Sequence, residues 1–163
     1  MAIAERELAA LEIWPSTDEL SKRGAAGGLV LLPDDVSDVE GEVVASFREA
    51  AQALQVGAKR TGLPVEFVAP PGARLGVYRE RAAEWVLPYV LSIPTGVVIG
   101  LIVNEIQRVL DGARRSRQET PTFRFREVVI EDGRTVVREL TGPADELVRT
   151  LRERLPRDAG GDD

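Results

Sequence analysis

Residues 85–103 include no charged residue and hold most of the densest aliphatic clusters of the chain. Two structures can shelter such a segment: a buried helix at the centre of a globular domain, or a single membrane span of about 20 apolar residues. Pro88, Pro94, Gly96 and Gly100 interrupt the stretch. Both residue types occur in membrane spans, so their presence does not decide between the two structures.

The pattern beyond this stretch favours the buried helix. After Pro94, apolar residues recur at helical spacing as far as Leu110, while the opposite side becomes polar from Asn104 onward. A helix that is apolar all round and then amphipathic is typical of a core helix that reaches the surface. Arginines flank the stretch on both sides, so they give no preferred membrane orientation. We predict a core helix at 94–110, with a membrane span at 85–103 as the alternative.

Two glycines mark one face of this helix. Gly96 and Gly100 are four residues apart, so they lie on the same side and allow another backbone to approach closely. The approaching segment belongs either to the same chain or to a second copy, as in helices that dimerise through a Gly-x-x-x-Gly motif. We therefore name both glycines as candidate interaction residues.

The first part of the chain predicts a helical arm and a linker. A short helix ending at Pro15 follows from the spacing of Ile3, Leu8, Leu11 and Trp14. Ser16 and Glu19 form a capping box for a second short helix, and the Gly/Ala stretch 24–28 follows it. We divide the chain into a helical arm with its linker at 1–28, one α/β domain at 29–156 and a disordered tail at 157–163.

The next part predicts a βαβ unit. A continuous apolar run at 29–32 has the length of a buried strand, and a second strand is predicted at 65–68. Between them we predict a long helix at 38–61, ended by Gly62 in the left-handed conformation. Strands joined in this way are parallel, and the crossover is right-handed.

The last part predicts a hairpin followed by a helix. Asp132-Gly133 separates two β-rich runs at 122–130 and 135–141, which is the strongest local hairpin signal in the chain. The final helix begins after Pro143 with acidic residues in its first turn. A further helix is predicted from the spacing of Tyr78, Ala82 and Trp85. Together these elements predict an α/β fold, with α+β as the alternative, built on a mixed sheet of about four strands.

Composition excludes several classes of function. The formal charge of −6 argues against general nucleic-acid binding, which requires surplus cations. The chain has no cysteine and no histidine, which excludes zinc sites of the Cys/His type and Ser-His-Asp or Cys-His catalysis. The absence of cysteine suits a reducing compartment. The first residues are acidic where a signal peptide would be basic, so we expect a cytoplasmic protein, with the membrane as the alternative.

An acidic stretch follows the first predicted strand of the domain. Asp34, Asp35 and Asp38 lie within residues 34–42, where open α/β sheets often place their sites. Several carboxylates together can bind Mg²⁺, because hard cations prefer oxygen ligands. We nevertheless expect these acids to complement the N-terminus of the following helix, with a metal site as the alternative. Asp34, Asp35 and Asp38 are the candidate metal ligands.

A basic stretch follows the central helix. Arg114, Arg115 and Arg117 are the candidate interaction residues of a region that also contains Arg108, Arg124 and Arg126. Such a patch could dock an acidic partner or lipid headgroups. The alternative is a solvated helix end, where cations suit the helix dipole.

The C-terminal part resembles a known group of proteins. From residue 96 to residue 155 the chain has a Gly-containing apolar helix, a basic connector, a hairpin and the run Thr141-Gly142-Pro143-Ala144-Asp145-Glu146-Leu147-Val148. This order resembles the small α/β effector-associated components of actinobacterial conflict systems. The resemblance covers roughly the C-terminal 40% of the chain and implies a non-enzymatic adaptor. It implies no site residues.

Three functions are therefore predicted, in this order. The first is a non-catalytic protein–protein interaction or adaptor module that self-associates, has no cofactor and binds other proteins rather than nucleic acid. The second is a membrane-anchored regulatory protein that uses 85–103 as its span. The third is a Mg²⁺-dependent enzyme with its site at 34–42.

Overall fold

The computed structural model describes residues 2–78, 84–91 and 96–155, which form four helices and nine strands. Their order is β1 (Ala4–Leu8), α1 (Thr17–Ala25), β2 (Leu29–Leu32), β3 (Asp35–Val39), β4 (Glu42–Arg48), α2 (Ala50–Arg60), β5 (Val65–Phe67), β6 (Arg74–Tyr78), β7 (Glu84–Leu91), α3 (Gly96–Arg115), β8 (Thr122–Glu131), β9 (Arg134–Pro143) and α4 (Ala144–Arg152).

The strands form two mixed sheets. The larger has six strands in the order β1-β9-β8-β7-β2-β5, in which β7 is parallel to β8 and β2 is parallel to β5. The smaller has three strands in the order β3-β4-β6, with β4 parallel to β6. This confirms the predicted α/β class. The described strands are more numerous than the predicted four because five segments taken as helix or loop are strands, namely β1, β3, β4, β6 and β7.

Helices cover both faces of the six-stranded sheet. Alternate residues of β2 enter two separate cores: Leu29 and Leu31 join one, Val30 and Leu32 the other. Because successive strand residues point to opposite faces, the two cores lie on opposite sides of the sheet. The larger core contains the buried residues of α2, α3 and α4, and the smaller contains Leu20 of α1 with Trp14.

The predicted core helix is confirmed as α3. It runs from Gly96 to Arg115, and Ile102, Ile106 and Leu110 of its apolar stripe are buried. The alternative of one span at 85–103 is wrong, because that segment divides between β7 and α3. None of the described helices is long and apolar enough to cross a membrane.

The front half of the apolar stretch is a strand because it lies inside the sheet. β7 is hydrogen-bonded to β2 on one side and to β8 on the other, and a central strand buried on both faces is expected to be continuously apolar. Pro88 has no N–H to donate to the ladder. The register shifts at this point, between Val86 and Tyr89.

The N-terminal arm is only partly helical. The helix predicted from Ile3 to Trp14 is wrong, because Ala4–Leu8 is strand β1, paired antiparallel with β9 as an edge of the six-stranded sheet. Gly142 of β9 permits this pairing, because a Cβ at that position would collide with Ile3. The cap of α1 is as predicted: the Glu19 N–H donates to Ser16 Oγ at 3.3 Å.

The long helix predicted at 38–61 is wrong in its first half. Residues 42–48 form β4, which pairs with β3 through a tight turn at Glu40 (φ 54°) and Gly41 (φ 84°). Two consecutive positive φ angles are those of a type I′ hairpin turn. The second half is helix α2, Gly62 after it has the expected positive φ of 72°, and β2 and β5 are parallel as predicted.

The predicted C-terminal elements are confirmed. β8 and β9 form a hairpin across Asp132 (φ 49°) and Gly133 (φ 72°), and α4 carries Asp145 and Glu146 in its first turn. The helix predicted around residues 78–85 is wrong at both ends, which are strands β6 and β7, and residues 79–83 lie outside the described part of the chain. The predicted tail at 157–163 lies outside it as well.

Candidate interaction surface

Asp34, the first candidate metal ligand, is held by two arginines. Its carboxylate is 7% exposed. Arg126 forms a bidentate ion pair with both oxygens: its Nη1 lies 2.9 Å from Oδ2 and its Nη2 donates to Oδ1 at 2.9 Å. Arg48 Nε donates to Oδ2 at 2.6 Å. Both oxygens that would bind a metal are therefore occupied by guanidinium groups.

Arg126 completes its contacts inside the protein. Its Nε and Nη2 donate to the Leu87 carbonyl oxygen at 2.9 and 2.8 Å, beside the irregularity in β7. The guanidinium carbon lies 3.7 Å from the centre of the Tyr89 ring, a cation–π contact. Arg126 is on β8, and Asp34 leads into β3. The ion pair therefore joins the two sheets.

The other two acids also have partners within the chain. Asp38 Oδ1 accepts from the Gly41 N–H at 2.9 Å and so stabilises the β3–β4 turn. Asp35 lies on β3 near Tyr78. Burial raises the pKa of the Tyr78 phenol, and the charges of Asp35 and Asp34 raise it further against the opposing effect of Arg48. Within residues 2–78, 84–91 and 96–155, no three acidic side chains come together as a metal site.

Three further carboxylates are buried, and each is paired with an arginine. Glu127 pairs with Arg154 at 3.0 Å and Glu105 with Arg108 at 2.6 Å. Glu139 is approached by Arg6 at 2.8 Å and by Arg124 at 3.6 Å. Paired carboxylates of this kind are the usual solution to burying a charge. Their geometry is that of structural ion pairs.

The predicted glycine face has free space beside Gly100. Gly100 lies in the second turn of α3, and a Cβ added to it would meet no described atom within 4 Å. No described segment of the chain therefore packs closely against it. Gly96 is the first residue of α3. The proposed role of the pair in binding a second copy stays a prediction.

The predicted basic patch is smaller than the sequence indicates. Arg114, Arg115 and Arg117 are exposed at the C-terminal end of α3, where their charges suit the helix dipole. Arg114 lies beside a groove next to α4, whereas Arg115 and Arg117 line another groove with the segment leading to β8. Arg126 is buried, so it does not belong to this surface, and its inclusion in the patch is wrong.

The most distinctive surface lies on the three-stranded sheet. Seven large hydrophobic side chains are exposed among the described residues, and five of them belong to this sheet. We call these five residues the small-sheet surface: Val43 (38% exposed), Leu75 (50%) and Val77 (44%) lie on one face of the sheet, and Val39 (47%) and Tyr78 (40%) lie on the other. Single exposed hydrophobic residues are ordinary, but a concentration on one element marks an interaction site.

The small-sheet surface is centred on an edge strand. Among the described strands, β6 pairs only with β4, so the backbone groups on its other side have no partner in any described strand. Leu75 lies beside Ala45 and Val77 beside Phe47 in the register of β4 and β6. Ala45 and Phe47 are buried in the main core, whereas Leu75 and Val77, one strand further out, are half exposed.

Sequence reasoning missed this surface. The alternation of residues in Arg74-Leu75-Gly76-Val77-Tyr78 is a strand pattern, but it is short and follows a Pro-Pro-Gly turn. Its exposure depends on β6 being an edge, which no local pattern specifies. Comparison with protein families, with characterised proteins and with solved structures finds no match to this chain.

Proposed function

We propose that this protein is a non-catalytic protein–protein interaction module of the adaptor type, which self-associates through the small-sheet surface. The observation that carries the proposal is the concentration of five exposed large hydrophobic side chains on one three-stranded sheet. Aromatic and aliphatic side chains are the usual anchors of protein interfaces, and charged ones are depleted there.

The energetic reason is the removal of apolar surface from water. Fully burying one Val or Leu side chain is worth about 1.5–3 kcal/mol. Leu75 and Val77 are each about half exposed, so contact with a partner would recover a useful part of that free energy from each. Part of the gain is spent on lost translational and rotational freedom. The burial of a few half-exposed side chains therefore suits a weak, reversible complex.

The chemistry of the chain supports a non-enzymatic role. The sequence has no cysteine or histidine to serve as nucleophile or base. The acids that the sequence offered as metal ligands form an ion pair and a turn contact. The resemblance of the C-terminal part to effector-associated adaptor components points in the same direction. We place the protein in the cytoplasm as part of this proposal, and we expect no binding to nucleic acid, given its charge of −6.

Replacing Leu75 with lysine should abolish self-association without unfolding the protein. Leu75 is 50% exposed, so the lysine ammonium can reach water in the monomer but would have to be desolvated in a complex. Sedimentation velocity across a concentration series measures the effect. We expect the wild-type mass to rise with concentration and that of Leu75→Lys to stay monomeric.

The matched control is Val56→Lys. Val56 is 51% exposed but lies on α2, where it lines a groove shared with α3 and is not part of the three-stranded sheet. The variant Val56→Lys adds the same charge as Leu75→Lys at a similarly exposed position. We expect it to associate like the wild type. A wild-type protein that remains monomeric throughout, or equal effects of the two variants, would contradict the proposed surface.

A further inference from the structure

The free side of β6 fits the same strand of a second molecule. We propose that two copies pair antiparallel through β6, with the twofold axis at Gly76, so that their three-stranded sheets join into one sheet of six strands. The inference rests on the proposed function and names its partner. An edge strand with unpaired N–H and C=O groups is a template for such pairing.

The side chains of β6 are complementary to themselves in this register. An antiparallel pair centred on Gly76 places Leu75 opposite Val77 of the other copy and Arg74 opposite Tyr78. Leu75 and Val77 share the face that carries Ala45 and Phe47, so two apolar pairs form on one side of the joined sheet. The cation of Arg74 comes opposite the Tyr78 ring, which favours cations. Arg48 of the same chain lies 5.3 Å from the centre of that ring, and its charge is paired with Asp34.

The other edge strands do not share this property. A symmetric pair of β1 would place Arg6 opposite Arg6 and Glu5 opposite Glu7, and a symmetric pair of β5 would place Glu66 opposite Glu66. Like charges directly opposite each other destabilise a strand pair. A symmetric pair of β3 would place Asp35 opposite Val39 and Asp38 opposite Val36, so each valine would face a carboxylate and no apolar pair would form. Of the four edges formed by the described strands, β6 alone combines apolar pairs with the absence of directly opposed like charges.

Gly76 suits the centre of such a pair. A Cβ on this residue would lie 3.0 Å from Val44 Cγ1 and 3.1 Å from Ser46 Oγ, so the neighbouring strand already fills the space beside it. With no side chain of its own, Gly76 leaves the two backbones free to approach. The pairing is isologous and closes at a dimer, whereas β6 against β3 of another copy would repeat without closing.

Cysteine cross-linking tests the register directly, because the natural chain contains no cysteine. The single variants are Leu75→Cys and Val77→Cys, both at half-exposed positions that tolerate a small side chain. Residues directly opposite have Cβ atoms about 4.5–5.5 Å apart, and diagonal neighbours about 7–8 Å. A disulfide needs about 3.5–4.5 Å. Position 75 should therefore cross-link to position 77 of the other copy and not to itself.

The expected result is a disulfide-linked dimer in an equimolar mixture of the two single variants under mild oxidation. We expect about tenfold less from either variant alone, given the longer diagonal distance. The double variant Leu75→Cys/Val77→Cys should be converted almost completely to dimer. Non-reducing electrophoresis and mass spectrometry of the linked peptides give the readout, and circular dichroism confirms that each variant is folded.

The failures of the two proposals are distinguishable. A wild-type protein that is monomeric by sedimentation and gives no cross-link overturns both the self-association and the strand pairing. A wild-type protein that associates while the mixture gives no link between positions 75 and 77 overturns the pairing and leaves the proposed function standing. A dominant link between two copies of position 75, or a mass that grows beyond the dimer, overturns the pairing as well.

Discussion

Replacing Arg126 with methionine should lower the free energy of unfolding by about 3–5 kcal/mol, the range for removing one partner of a buried ion pair. Arg126 is 4% exposed and supplies the bidentate contact to Asp34 and two hydrogen bonds to the Leu87 carbonyl oxygen. Methionine fills much of the space but restores neither contact. The carboxylate of Asp34 would then remain buried, and Arg48 would be its remaining partner among the ion pairs of the described residues. Urea unfolding at low protein concentration measures the change.

Arg48→Met is the matched control. Arg48 also binds Asp34, at 2.6 Å, but its side chain is 31% exposed, so water can replace part of the lost contact. We expect a loss of about 1 kcal/mol, near the upper end for exposed ion pairs. Equal losses for the two variants, or a loss below about 1 kcal/mol for Arg126→Met, would show that the buried pair is not what joins the two sheets.

Truncating Phe123 to alanine should destabilise the fold by about 3–5 kcal/mol through the cavity that it leaves. Phe123 is 0% exposed in the larger core and stacks on Trp85 with ring centres 6.0 Å apart. The substitution would remove packing between β7 and β8, where Phe123 is paired with Trp85, the first residue of the uncharged stretch 85–103. The same urea titration gives the result.

Phe67→Ala is the comparison for this variant, because it removes the same atoms from a side chain that is only partly buried on the edge strand β5. Its loss should be clearly smaller. If Phe67→Ala costs as much as Phe123→Ala, the core does not have its centre where the structure places it.

Elements specified by neighbouring residues could be predicted from the sequence. Asp132-Gly133 supplies the two positive φ angles that a two-residue hairpin turn requires, and the turn forms where expected. Ser16 caps the helix that follows it, and Gly62 ends the helix before it. Each of these signals acts within a few residues, so nothing elsewhere in the chain has to be known.

Elements specified by distant partners could not be predicted in this way. Val43, Phe47 and Ala50 match the spacing of a helix, yet β4 is a strand because β3 and β6 pair with it on both sides. The spacing of Ile3 and Leu8 likewise predicted a helix. β1 is a strand because it pairs with β9, which lies more than a hundred residues away in the chain. Local periodicity is a weaker constraint than such pairing.

The candidate site depended even less on local pattern. The charges of Asp34, Arg48 and Arg126 are visible in the sequence, but their meeting requires the two sheets to be in place. The small-sheet surface arises because β6 ends its sheet, so Leu75 and Val77 keep half of their surface in water. A prediction of strands alone does not say which of them is an edge.

Hydrogen–deuterium exchange as a function of protein concentration tests most directly whether β6 is the contact between copies. We expect exchange at Arg74–Tyr78 to slow as concentration rises, because pairing would give partners to the outward N–H groups of this strand. The edge strand β1 provides the internal control and should exchange at one rate throughout. Exchange at Arg74–Tyr78 that is the same at every concentration, or slowing at β1 instead, would contradict the account.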